Sequence, residues 1–264
     1  MAGLRGGPDQ PSTREPDPDN AGGGIAPELS TARPLCQEGS FSLRTIVVAN
    51  GELGETALLQ ARLASWAKVR VIAADGAAAN CRELGLQPEI IVGDLDSLDS
   101  TYRSKLEAAG VELLRSPARK DQTDLELALL YAKETGAEQV IVLGALGGRL
   151  DMTLANVLLL THPRLAGLDF QLWHDDQTAW ILRPPGGDVH GQPGDQLSLI
   201  PVGGDVQGVL THGLEYLLRN EILSFGSARG VSNVLTGREA RVELSAGLLL
   251  AVHTPAIQLQ AGGA

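Results

Sequence analysis

The sequence predicts an α/β N-terminal domain, a doubly wound and mostly parallel six-stranded sheet, followed by a small all-β C-terminal sandwich or barrel domain. Three observations predict it. Short β-branched runs alternate with helical patterns from Phe41 onward. Those runs are continuously apolar, as strands of a parallel sheet covered on both faces are. Near residue 176 the helical period stops, and short strand-like runs separated by Gly- and Pro-rich turns take over.

The elements follow in order. "RTIVVAN" (44–50) precedes the helical "ETALLQARLASWA", and "VRVIAAD" (69–75) precedes "AAANCRELG". "EIIVGD" (89–94) precedes "STYRSKLEAAG", and "VELLRS" (111–116) precedes "DLELALLYAKETG". "QVIVLG" (139–144) precedes "MTLANVLLLTHP", and "DFQLWH" (169–174) closes the series. Parallel neighbours need a crossover of a dozen or more residues, usually a helix, and each spacer here reads as one. The runs "TAWILR", "DQLSLIP", "VQGVLTH", "EARVEL" and "GLLLAVH" then make the β part. The expected division is a tail over 1–40, an α/β nucleotide-binding domain over 41–176 and a β domain over 177–264.

The first 40 residues are rich in Gly and Pro and poor in large apolar side chains. Such a segment buries too little surface to offset its ordering entropy, so a disordered tail is expected. It has no apolar signal-peptide core and carries several acids, unlike a transit peptide, so a cytoplasmic location is expected. No apolar run reaches the roughly 18 residues of a membrane span. The net charge of −11 argues against a nucleic-acid partner, and three Trp, three Tyr and three Phe make no base-stacking platform. Cys36 and Cys81 fit no disulfide framework, and the five histidines lack zinc-ligand spacing.

The chemistry-bearing residues fall in strand-to-helix loops. In a parallel sheet these all lie on one rim, outside the carboxyl ends of the strands, where ligands bind. The second loop carries Asp75, and the third, "GDLDS", carries Asp94 and Asp96. The fourth, "RKDQTD", carries Lys120, Asp121 and Asp124; the fifth, "GALGGRLD", carries Gly147, Gly148, Arg149 and Asp151. Plain structural readings exist for several: Asp75 and Asp151 as helix N-caps, Thr123 with Glu126 as a capping box, Arg149 as an ion-pair partner of Asp151. Asp94 and Asp96 resist that reading. On a locally extended backbone residues i and i+2 point the same way. Two like charges about 4 Å apart repel by roughly 4 kcal/mol at an effective dielectric of 20. A cation relieves that repulsion, and oxygen ligands favour Mg²⁺. The glycine pair suits close approach of a phosphate to a helix N-terminus, although the loop is neither a P-loop nor a dinucleotide fingerprint.

With these residues in view the chain resembles the thiamine pyrophosphokinases. The strings that carry the resemblance are "VVANGEL", "ADGAAAN", "IVGDLDS", "KDQTDLELAL", "LGALGGRLDMTLAN", "SLIPVGGDVQGVLTHGLEY", "FGSARGVSN" and "SAGLLLAV", spread over about residues 44 to 253. The resemblance implies transfer of the β,γ-diphosphate of ATP to the hydroxyl of thiamine, giving AMP and thiamine diphosphate. It implies Mg²⁺ and a homodimer whose thiamine pocket lies between the α/β domain of one subunit and the β domain of the other. By position it implies that Asp94 and Asp96 hold the metal and that Asp75 and Asp124 complete the acidic rim. It puts Lys120, Asp121, Gly147, Gly148 and Arg149 at ATP, and Asp151, Ser232 and Asn233 at thiamine. Asp151 or Asp124 would accept the alcohol proton. Two positions depart from the family pattern: Ala79 stands where Asn is usual, with Asn80 one residue later, and Met152 stands where many members carry His. The alternatives are a Mg²⁺-dependent diphosphotransferase acting on another alcohol such as a pterin, a Mg²⁺-dependent phosphohydrolase using an aspartyl nucleophile, and a non-catalytic binding module.

Overall fold

The computed structural model describes residues 43–66, 68–96, 100–116 and 121–256. The expected tail, Cys36 and Lys120 lie outside the described residues. Six parallel strands are present where the apolar runs predict them: β1 (Arg44–Val48), β2 (Arg70–Ala74), β3 (Ile90–Gly93), β4 (Glu112–Arg115), β5 (Gln139–Leu143) and β6 (Asp169–His174). They pair in the order β4-β3-β2-β1-β5-β6. The helices between them are α1 (Thr56–Leu63), α2 (Ala78–Glu83), α3 (Ser100–Ala108), α4 (Asp124–Glu134) and α5 (Leu150–Leu159).

Successive strand residues point to opposite faces, and the helices divide accordingly. Ile46, Val48, Val71, Ala73, Ile91 and Leu143 pack with Leu59 and Leu63 of α1, Cys81 of α2 and Leu106 of α3. Val47, Ile72, Val92, Val140 and Val142 pack on the other side with Leu125, Ala128 and Leu129 of α4 and Leu159 of α5. Burial pushes the Cys81 thiol up to about 12, so it is a packing group rather than a nucleophile at neutral pH.

The sheet does not stop at six strands. The expected boundary at 176/177 falls in the tight turn from β6 to β7 (Gln177–Leu182), and the same sheet continues antiparallel as β6-β7-β14-β9-β12. Here β9 is Gln196–Pro201, β12 Asn233–Val234 and β14 Leu249–Thr254. A second sheet, β11-β10-β13-β8, is built from β8 (Gly186–His190), β10 (Val206–His212), β11 (Arg219–Leu223) and β13 (Glu239–Glu243). Leu197, Leu199, Leu249 and Ala251 of the long sheet meet Val206, Val209, Leu223 and Val242 of the short one in a shared core. The β half is therefore sandwich-like, but one of its two layers is the far end of the ten-stranded sheet. Among the described residues no helix is long and apolar enough to cross a membrane.

Leu199 is 1% exposed in that inter-sheet core. Leu199→Ala should cost about 2–5 kcal/mol of unfolding free energy, read from urea denaturation.

Candidate active site

The carboxyl ends of β1, β2 and β5 and the first turns of α4 and α5 surround a cavity of about 510 Å³. Asn50, Gly51 and Glu52 come from the loop after β1, and Asp75 from the end of β2. Thr123 and Asp124 come from the start of α4; Gly147, Gly148 and Arg149 precede α5, which adds Met152 and Asn156. The cavity thus lies at the rim that parallel-sheet topology selects, beside β1 and β5, where the direction of strand addition reverses.

At one side of this cavity the acids gather. Carboxylate oxygens of Asp75, Asp94 and Asp96 lie within 4.8 Å of one another. The reason is ladder geometry. Strands β2 and β3 are parallel neighbours with Ala74 opposite Val92, and the Asp75 amide extends the ladder by donating to the Val92 carbonyl at 2.9 Å. Asp75 is thereby set beside Gly93, whose lack of a side chain is required: a Cβ there would lie 2.2 Å from the Asp75 Cβ. Asp94 follows at once.

The expected extended backbone across Asp94–Asp96 is corrected. Leu95 is left-handed, with φ +63. The turn brings the Asp96 amide to the Asp94 Oδ1 at 3.2 Å. Leu95 is 3% exposed and packs in the core under α1 to α3, and its carbonyl accepts from Arg103 Nη2 of α3 at 2.7 Å. The two acids converge because a buried leucine pins the turn between them, not because alternate residues share a face.

The other loops are equally specific. Gly147 has φ +86 and closes on the β1 loop: a Cβ there would lie 2.6 Å from the Glu52 Cβ. Asn80, the residue one place off the family position, donates from Nδ2 to the carbonyls of Ala49 and Gly51, both at 2.9 Å. It shapes the β1 loop from behind. Thr123 is the N-cap of α4 and accepts from the Glu126 amide at 3.1 Å, the cap half of the expected box. Asp75 and Asp151 are not N-caps: Ala77 is the N-cap of α2, and Arg149 is that of α5, with Asp151 in its first turn. Arg149 and Asp151 form a forked pair, Nη2 to Oδ2 at 2.5 Å and Nε to Oδ1 at 3.1 Å, in full solvent contact. Their mutual hydrogen bonds raise the Arg149 guanidinium and lower the Asp151 carboxyl from their ordinary values.

Of the predicted residues, Asp75, Asp124, Gly147, Gly148 and Arg149 line the cavity, and Asp94 and Asp96 join it through Asp75. Asp121 is exposed and Asp151 projects outward; neither lines it. Ser232 and Asn233 do not reach it. Asn233 pairs in β12, six strands from β1 in the sheet, roughly 29 Å at the usual ~4.8 Å spacing. Its amide group is used on main chain: Oδ1 accepts from Tyr216 and Val234 amides, and Nδ2 donates to the Tyr216 carbonyl at 2.7 Å. Sequence reasoning missed Asn50, Glu52 and Asn156 as lining residues. The first two sit in the one loop whose conspicuous residues are not the charged pairs that draw attention elsewhere.

A carboxylate trio beside glycine-lined, helix-headed loops defines a cleft of the kind that takes a divalent cation with a polyphosphate. The thiamin pyrophosphokinase catalytic-domain family model matches residues 61–172, and the vitamin B1 binding domain of the same family matches residues 188–249. The Bacillus subtilis thiamine pyrophosphokinase is 30% identical over 185 residues, covering 69% of this chain and 86% of that protein. A thiamine pyrophosphokinase 1 of Oryza sativa subsp. japonica is 25% identical over 249 residues, covering 84% and 92%. The solved Geobacillus thermodenitrificans thiamin pyrophosphokinase superposes with a TM-score of 0.69 at 27% identity, covering 82% of this chain and 99% of that one. The chain belongs to the thiamine pyrophosphokinase family.

Gly93→Ala should displace Asp75 from its partners. Mn²⁺ binding followed by electron paramagnetic resonance is expected to weaken by about ten-fold or more, with a stability loss of about 1–3 kcal/mol.

Proposed function

We propose that this chain transfers the β,γ-diphosphate of ATP to the hydroxyl of thiamine, releasing AMP and thiamine diphosphate, with Mg²⁺ as the metal. The observation that carries the reading is the gathering of Asp75, Asp94 and Asp96 at the edge of the loop-lined cavity. Three carboxylates offer hard oxygen donors and no sulfur or imidazole, a set that suits Mg²⁺. When bound there, the ion would neutralise phosphate oxygens.

The chain's own residues would do the rest by positioning and charge, which is most of what phosphoryl transfer needs. Gly147 and Gly148 let main chain approach a phosphate, and α4 and α5 both begin at the cavity, where the positive ends of their dipoles favour an anion. Arg149 lines the cavity and would turn its fork from Asp151 to a phosphate; Lys120 would add a second positive charge, with Asp121 beside it in the same loop. The thiamine hydroxyl attacks the β-phosphorus in line, the α-phosphate oxygen leaves with AMP, and a carboxylate takes the alcohol proton. Asp124 is the better-placed acceptor, since it lines the cavity and Asp151 does not.

A thiamine pocket that uses Asp151, Ser232 and Asn233 together needs two copies of the chain, because the strand order separates them within one. We therefore take the working unit to be a homodimer. Leu150, Leu154 and Leu158 repeat at helical spacing along α5 and are 72%, 55% and 53% exposed. Ile222 and Phe225 of the β half are exposed too, so both halves offer apolar surface for a partner copy. In that dimer Asn233 would shape the pocket through the 216 loop, and the exposed Ser232 would face thiamine. The division of labour is residues 41–176 for nucleotide and 177–264 for thiamine and dimer contacts. A cytoplasmic setting suits an ATP-dependent reaction and the free Cys81.

Incubation with Mg-ATP and thiamine should yield AMP and thiamine diphosphate in equal amounts, and AMP without thiamine would overturn the reading. Asp96→Asn should lose about 10²-fold or more of turnover with an unchanged circular dichroism spectrum. Mixing that variant with Ser232→Arg, itself inactive, should restore about a quarter of wild-type sites through mixed dimers; no recovery would count against a pocket shared between subunits.

A further inference from the structure

The loop that gives Asn50, Gly51 and Glu52 to the cavity is fastened from two directions. Upstream, Gly51 and Glu52 amides donate to the carbonyls of Gly144 and Leu146 at 2.7 and 2.9 Å, and Asn80 holds the carbonyl side. Downstream, the fastening comes from far along the chain. Gly54 lies so close to Asp175 that a Cβ would stand 2.0 Å from its Oδ1, and the Glu55 amide donates to that same oxygen. Glu55 is the N-cap of α1, and its own side chain makes no capping bond. The capping carboxylate is supplied instead by the turn between β6 and β7, where Asp175 is left-handed with φ +52.

The last turn of α1 returns the contact. Arg62 donates to the Asp175 and Gln177 carbonyls at 2.6 and 3.2 Å and to Thr178 Oγ1 at 2.6 Å. Its guanidinium stacks 4.0 Å from the Trp173 ring centre, and Trp173 meets Trp66 edge to face. Burial pulls the Arg62 guanidinium down from its ordinary value against the opposing pull of Asp176, so these bonds form in a partly desolvated place where they are strong. Neither Asp175 nor Arg62 lines the cavity.

We propose that Asp175 and Arg62 are positioning residues for nucleotide binding: they clamp α1 to the β6–β7 turn and so hold the 50–52 wall of the cavity against the Gly147 wall. The inference rests on the reading of the cavity as the nucleotide site. A loop tethered only upstream would keep the Glu52 amide on Leu146 but leave the run from Glu52 to Glu55 loose, and the site would have to order that wall on binding, which weakens affinity without touching the chemical step.

The test compares Asp175→Ala, Asp175→Asn and Arg62→Met in the full chain. Asn keeps an oxygen acceptor and tolerates left-handed backbone; Ala does neither. Affinity is read by calorimetry with α,β-methylene-ATP and Mg²⁺, loop order by amide exchange over 50–55, and turnover at saturating ATP. Asp175→Ala and Arg62→Met should weaken nucleotide binding by about ten-fold, speed exchange over 50–55 and change kcat less than about three-fold, while Asp175→Asn stays near wild type. Unchanged nucleotide affinity in both Asp175→Ala and Arg62→Met, even with a lowered melting temperature, would overturn the inference. If Asp175→Ala does not fold, Arg62→Met decides alone. A wild-type chain that binds the analogue yet makes no AMP would sink the catalytic reading and leave this comparison intact.

Discussion

The structure hangs on one ladder contact, the parallel pairing of β2 with β3 that delivers Asp75 and Asp94 to adjacent strand ends. Parallel neighbours lie about 4.8 Å apart, so carboxylates that follow them directly are forced into each other's field. At an effective dielectric of 20, each such like-charge pair costs roughly 3–4 kcal/mol. The packing around them helps to hold them there. Ile72, Ala74 and Val92 are locked under α4 on one face and Ala73 and Ile91 under α1, α2 and α3 on the opposite face. A frame of that kind can hold a repulsive trio in place, and the trio then offers a divalent cation a site that needs little rearrangement.

The same sheet reaches from this trio to the thiamine-family β half without a break. Hydrogen-bonded strands run from β4 to β12, and the inter-sheet core begins only at β7. The β half therefore cannot swing about a flexible linker. Its polar segment 230–233 is held at a fixed, large separation from the cavity, and it is the proposed function that would bring the two together, through a second copy of the chain rather than a closing motion.

Much of this was legible beforehand, and the failures have physical causes. Strands β1, β2, β3 and β5 could be read because burial on both faces leaves an unbroken apolar run, whereas β4, at the sheet edge, and β6, with its alternating DFQLWH, could be read from their place in the β–α alternation. The five antiparallel runs could be read because one face is apolar. Strands β8, "GGDVH", and β11, "RNEIL", escaped because they are the edges of the short sheet, where polar side chains and glycine are tolerated and even useful. The acids were legible because topology alone sends strand-to-helix loops to one rim. Asp75 could be placed on that rim, but its membership of the trio depended on the register of β2 with β3, which no local pattern encodes. Asp151 was drawn to the cavity by its neighbour Arg149, yet the start of α5 turns it outward.

The turn at Leu95 shows why local rules fail most at the site itself. A left-handed residue between two aspartates asks for glycine, and placing a leucine there costs about 1–2 kcal/mol of backbone strain. Burying that leucine returns a comparable or larger amount, about 1.5–3 kcal/mol. Glycine would make the same turn with less strain but would leave it free to unwind, and Asp94 and Asp96 would separate to relieve their repulsion. With leucine, unwinding means pulling a side chain out of the core and releasing the Arg103 contact. The strained residue is what keeps the two charges together, so a sequence rule that prefers the relaxed turn points away from the functional one.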